Sequence, residues 1–393
     1  MVHLRGRAAV PVLTTAAMTA SMLPLFLLGA LAPALVAEFG IGRPLLGALV
    51  TAGFGVAVVL SLVIGPVVDA VGPRRSVVAL FATSAVALTV FAVAPHYSVL
   101  VVAVALGGVP QALANPSTNK LIATSVAPSR RPVLLGIKQS GVQLGAFIAG
   151  LPLAWLAEGV DWRLAVGVAA GLVAVAGLAL PADVNAVAGP RLRVAPSADG
   201  RRVPAGIRIS LTASPLIWQL TGFSVLLGAG IAAVNTYVTL YATEELRFTA
   251  PVAAGLVAVL GVVGIAGRIF WARVASGGTP ARDLLVGLSG AAAVSPILLL
   301  AAGVAAPLAW AGMIVVGACA VAANAISMLS VVAASAGPEL GRNSALVSAG
   351  FFAGFAVGPP VFGLVVELAG YQAAWVLVAA EFVAAAAVAW RAR

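Results

Sequence analysis

Three side-chain amides, Gln111, Asn115 and Asn119, recur at four-residue intervals inside an apolar run, flanked by Thr118 and Lys120. On a helix that spacing puts all three on one face. A second cluster, Lys138, Gln139, Ser140 and Gln143, places Gln139 and Gln143 on a shared face in the same way. Amides donate and accept hydrogen bonds and an ammonium attracts anions, but none of these groups is a nucleophile. The pattern suits holding a polar solute. Lys120 and Lys138 are the only lysines in the chain, and no carboxylate of the first half lies close enough in sequence to neutralise them. A positive pocket for a small organic or inorganic anion is the reading they favour; snorkelling to headgroups is the bland alternative. Asn115-Pro116 would also loosen its helix and free a carbonyl.

Fainter candidates follow in the second half: Asn235, Tyr237 and Tyr241, then Asn324 and Ser327, then Ser348 with Phe351, Phe352 and Phe355. An aromatic cavity built from those phenylalanines would suit export of a drug-like amphiphile, the competing reading. Glu381 is the only acid deep inside an apolar run, where a carboxyl could carry a coupling proton, although a structural or partly protonated surface role is the reading preferred for it. Thr19, Ser21 and Thr51 are weaker candidates still.

The elements that carry these residues must be membrane helices. The 393 residues are 62% hydrophobic and 9% charged, whereas a soluble chain carries roughly 25% charged residues. Too few charges remain for a water-facing shell, so lipid must solvate most of the surface. A spanning helix needs about 20 apolar residues, and the chain offers twelve such stretches. They are 10–37, 44–68, 77–94, 98–126, 132–157 and 162–180, then 215–242, 250–272, 283–303, 307–334, 344–366 and 372–390. The first could be taken for a signal peptide cut after Ala30-Leu31-Ala32, but it is too long and eleven more follow.

Charge orients them. With both termini cytoplasmic, only Arg43, Arg163 and Arg247 of the 22 Lys and Arg residues fall outside, as the positive-inside rule requires. Shifting the count by one helix scrambles the split. The longest polar stretch, rich in Pro, Gly and Arg, gives a division into a six-helix bundle (1–182), a cytoplasmic linker (183–213) and a second six-helix bundle (214–393). The linker's Arg191, Arg193, Arg201, Arg202 and Arg208 are expected along the anionic inner leaflet.

Between the second and third stretches lies Gly65-Pro66-Val67-Val68-Asp69-Ala70-Val71-Gly72-Pro73-Arg74-Arg75. At the inner end of stretch two, in a 6 + 6 chain with a basic central loop, this resembles the signature loop of the major facilitator superfamily (MFS). The resemblance covers essentially the whole chain. It implies an all-α integral membrane protein of twelve transmembrane helices in two pseudo-symmetric bundles. It also implies that Gly65, Asp69, Gly72, Arg74 and Arg75 form a latch between the halves on the cytoplasmic side, with a cavity between helices one, four, seven and ten. Asp69 is expected to pair with Arg74 or Arg75 or to face a helix N-terminus. The second half echoes the motif weakly as Gly267-Arg268-Ile269-Phe270-Trp271-Ala272-Arg273, without the acid. Stretches five and eleven share glycines at four- to five-residue spacing, including Gly141, Gly145, Gly150, Gly354 and Gly358. Drug exporters of the family carry a glycine-proline motif in helix five that this chain matches poorly.

Other classes are disfavoured. The net charge of +10 sits in clusters between apolar runs without interleaved aromatics, unlike a nucleic-acid binder. One cysteine, Cys319, and two histidines, His3 and His96, leave no expected metal site or intrachain disulfide. No catalytic cluster is visible, and no Gly-Lys-Ser/Thr phosphate loop powers a pump. A nonspecific channel would not need duplicated halves. The expectation is therefore a secondary active transporter without a cofactor, a functional monomer in a bacterial cytoplasmic membrane. It would move a small solute, with a coupling ion, by alternating access.

Overall fold

The computed structural model describes residues 2–61, 63–127, 130–187, 213–335 and 338–391, and the described residues contain helices and no strands. The five linker arginines and Arg393 lie outside them. Eleven helical runs are long and apolar enough to cross a bilayer. The first ten are α1 (Ala9–Ala30), α2 (Arg43–Ser61), α3 (Pro73–Ala92), α4 (Tyr97–Ser125), α5 (Val133–Gly159), α6 (Trp162–Ala179), α7 (Pro215–Glu244), α8 (Ala250–Ser276), α9 (Ala281–Ala301) and α10 (Pro307–Ala334). The last, Arg342–Arg391, is 50 residues long, far more than one crossing needs. It breaks at Gly370, whose φ of 80° is open to a residue without Cβ. The arms 342–369 and 371–391 are α11 and α12, so twelve helices cross.

Helix polarity alternates and defines two sides of the molecule. The Arg43 side holds the start of α2 and the end of α7; the Asp69 side holds the end of α2 and the start of α11. The expected loop after α2 is itself largely helical: Ile64–Val71 forms a separate eight-residue helix. Gly72 turns it into α3 at φ 90°, and Pro73 opens α3 at a position where a missing N–H costs nothing.

Within the first half α1 packs on α4 and α5, α2 on α4, and α3 on α4 and α6; within the second, α7 packs on α11, and α8 on α10. The halves meet along two antiparallel seams, α2 with α11 and α5 with α8, and at a crossing of α1 with α7. Membrane helices gain little from the hydrophobic effect on pairing, so close backbone approach must supply the contact energy. The seams show it. A Cβ on Gly47 would lie 2.5 Å from the Pro360 nitrogen, and one on Gly150 would lie 2.5 Å from the Ala254 carbonyl oxygen. Hydroxyls reinforce the seams: Thr51 Oγ1 donates to the Ala356 carbonyl at 2.6 Å.

Candidate functional site

Lys138 is carried a short way inside α5, yet its side chain is 2% exposed. It turns toward α4 and does not reach for solvent. Its Nζ donates to Asn115 Oδ1 at 3.0 Å and to Thr118 Oγ1 at 2.9 Å. Thr118 spends its own proton on the Ala114 carbonyl one turn back, so its lone pairs are left facing the ammonium. Met18 Sδ of α1 lies 4.0 Å behind Thr118 Oγ1. One face of α4 and one of α5 therefore hold a cation on two neutral oxygens.

The acids that might neutralise it are committed or distant in the fold. Glu38 pairs with Arg163 and receives the Trp162 indole N–H. Asp69 pairs with Lys120, and Glu158 and Asp161 are exposed at the Arg43 side. Among the described residues no carboxylate pairs with Lys138. An ammonium buried without a counter-charge is expensive.

Elsewhere on these helices and on α7 and α10, further buried polar atoms lack a hydrogen-bond partner: Gln111 Oε1 on α4, Gln139 Oε1 and Gln143 Oε1 on α5, Asn235 Oδ1 on α7 and Asn324 Oδ1 on α10. Gln111 looks into a narrow gap lined by Pro24, Leu25, Leu28, Val50, Gly53, Phe54 and Val104. Gln143 crosses the seam, its side chain 3.2 Å from where a Cβ on Gly264 of α8 would stand. Asn235 gives its amide N–H to the Ile231 carbonyl of its own helix, while its backbone carbonyl fills the position of a Cβ on Gly29 of α1.

The remaining residues singled out from sequence have different placements. Lys120 stands apart from Lys138, in the surface ion pair with Asp69, an alternative to the arginine partners expected for that acid. Asn119, one turn below Asn115, is exposed. Tyr237 is fully buried, its hydroxyl 2.6 Å from the Arg43 carbonyl and 2.9 Å from that of Pro359, so it ties α7 to both helices of one seam. Phe352 and Phe355 meet Phe54 of α2, with ring centroids 5.6 and 4.7 Å apart; they plug the seam. Glu381 Oε2 on α12 is buried without a partner. Of the latch residues, Gly65 and Asp69 sit on the short helix after α2, and Gly72, Arg74 and Arg75 turn into α3.

Two features escape a reading of sequence alone. Arg43 donates to Glu244 Oε2 at 2.8 Å, and Tyr371 gives its hydroxyl proton to the same oxygen at 2.7 Å. This cluster joins the two halves on the Arg43 side, across 201 residues of chain. The other is Arg268 on α8, whose Nε is buried and without a partner. Its place in the weak echo of the latch motif was the one signal, and it pointed to topology.

Residues 14–340 match the family description of the Major Facilitator Superfamily. Two uncharacterised MFS-type transporters of Mycobacterium tuberculosis, from strains CDC 1551 / Oshkosh and ATCC 25618 / H37Rv, are each 26% identical over 320 residues, covering 80% of this chain and 69% of theirs. Among solved structures, a D-xylose-proton symporter matches with a TM-score of 0.79 at 15% identity over 98% of both chains. A bacterial homolog to the human lysosomal transporter Spinster, in an inward-facing and occupied conformation, matches with a TM-score of 0.75 at 15% identity, over 98% of this chain and 97% of that one. At these identities the structural likeness is one of fold.

Proposed function

Since the chain belongs to the Major Facilitator Superfamily, a family of membrane transporters and not of enzymes, we propose that it is a secondary active transporter of a small anion. The two bundles alternate access around Lys138. The single observation that carries this reading is the Lys138 ammonium, 2% exposed and held, among the described residues, by the oxygens of Asn115 and Thr118 alone. Buried charge without protein neutralisation marks a substrate path. Gln139 and Gln143, on the same helix, are candidates to donate their amide N–H groups to the anion.

The protein sits in a bacterial cytoplasmic membrane with the Asp69 side inward, supported by the positive-inside distribution of its arginines. In that orientation the paired residues of the Arg43 cluster lie on the outer side. Contacts between halves run from the Arg43 cluster to midspan, and a Cβ on Gly136, near the inner end of α5, would meet open space. The Asp69 loop is the latch that must engage when the inner side closes. Asp69→Asn then slows transport and leaves ligand binding unchanged; equal loss in both would reject the latch role. Export of amphiphiles is the weaker reading, because the phenylalanines it would use pack on one another and on Phe54.

Thermal stabilisation of the detergent-purified protein tests the anion reading directly, using small carboxylates and inorganic phosphate against drug-like cations. Stabilisation by an anion that disappears in Lys138→Ala and weakens in Gln139→Ala is the expected outcome. Response to bulky cations alone, unchanged in both variants, would overturn it.

A further inference from the structure

We infer that Arg268 is the second cation of this site, contributed by the opposite bundle, and that the solute is a short organic dianion bridging the two halves. The inference rests on the anion reading of Lys138 and deepens it.

Register places Arg268. Along the α5–α8 seam, Gly150 lies on Ala254, Val257 and Ala258, the Gln143 carbonyl and Phe147 nitrogen lie on Gly261, and the Gln143 side chain lies on Gly264. The α8 face in contact thus runs through 254, 257, 261 and 264, and one more turn brings it to Arg268. Because the helices are antiparallel, the same step along α5 moves from Gln143 to Gln139, beside Lys138. Arg268 and Gln139 therefore occupy matching levels on opposite walls. Gly136, one turn further along α5, has no atom within 4 Å of the position of a Cβ.

Chemistry fits the placement. Arg268 Nε and the Oε1 atoms of Gln139 and Gln143 are all buried and unpartnered, so the register brings an unsatisfied arginine donor and two amides to neighbouring levels of one seam. No ion pair is formed by Arg268 among the described residues. It lies eight residues before the end of α8, about 12 Å of helix. An arginine that only snorkels would sit where Arg273 does, exposed in the last turn. A guanidinium fork matches a carboxylate or phosphate in bidentate fashion, and an ammonium serves as a point charge for a second acidic group. One cation on each wall gives the solute a reason to draw the bundles together, which a single lysine does not.

The test uses the full chain in detergent, titrated with succinate and malonate against acetate and lactate, with melting temperature as readout. The expected result for the unaltered protein is half-saturation by the dianions at roughly tenfold lower concentration than by the monoanions. Arg268→Gln should bring the dianions to the monoanion level and leave the monoanions unchanged, and Arg268→Lys should recover part of the difference. Equal affinity for both charge classes in the unaltered protein overturns the inference even where Arg268→Gln does not fold. Equal weakening of both classes by Arg268→Gln, or none, also overturns it, while loss of all binding in Lys138→Ala leaves the anion reading standing. Absence of stabilisation by any anion would sink both.

Discussion

Thr118 shows how much of the site depends on one hydroxyl. Its proton is used on its own helix, so it can only accept from Lys138, and Thr118→Val removes that acceptor at nearly constant shape. Loss of a hydrogen bond to a charged group costs about 1.5–3 kcal/mol. The expected outcome in the thermal titration is therefore an anion affinity weaker by about tenfold or more, with Thr118→Ser close to the parent. Unchanged affinity would make the Lys138 cluster structural. Glu381 poses a separate question: with Oε2 buried and unpartnered, it is the candidate carrier of a coupling proton. In proteoliposomes Glu381→Gln should abolish acceleration by an inward proton gradient and spare solute exchange, whereas persistent acceleration would place coupling elsewhere. The lysines and amides at these positions were legible because polar groups stand out in apolar runs. Arg268 was not, since among arginines near helix ends nothing in the sequence separates one whose Nε is buried from one that faces headgroups. The split between Lys138 and Lys120 was equally hidden, because it depends on where Asp69 reaches in space.

At the scale of elements, the twelve crossings follow from apolar length, and only the continuous run through Gly370 merges two of them. What the pattern did not carry is the helix irregularity around α8. A π-helical turn at Ala149–Leu153 in α5 faces it from one side, and another at Val316–Ala320 in α10 from the other. Gly150 and Gly317 lie within these turns and touch α8 backbone or side chains closely. Such turns concentrate at functional sites, and here they flank the helix that bears Arg268. A Gly150→Val side chain would collide with the Ala254 carbonyl and the Ala258 amide of that helix, so it should force the Arg43 side apart. In a Cys319→Ser background with Thr51→Cys as reporter, maleimide labelling should be faster with Gly150→Val than without it. Equal rates would mean that the seam absorbs the extra bulk without opening.

Across the whole molecule, the arrangement of the halves rests on pairs far apart in sequence, and that is why it was not legible. The stripes of glycine on α5 and α11 signalled close packing without naming partners, and Arg43 could be assigned a side but not Glu244. A half-exposed ion pair contributes about 0–1 kcal/mol to folding, so Arg43→Gln should barely move the melting temperature. Yet parting the halves on the Arg43 side would separate Arg43 from Glu244 and Tyr371, and a contact made in one state biases the equilibrium between states. The Thr51→Cys reporter should therefore label faster in Arg43→Gln, and an unchanged rate would show that the glycine seams alone hold that side closed. On the proposed anion reading, the buried Lys138 ammonium has an electrical corollary. A carrier that relies on its cargo for charge balance returns empty as a positive object, and membrane voltage acts on such a movement with about 2.3 kcal/mol per full charge per 100 mV. An inside-negative potential then holds the empty form toward the cytoplasm and slows its return. Swapping one anion for another, which never sends the carrier across empty, is the mode that voltage disturbs least.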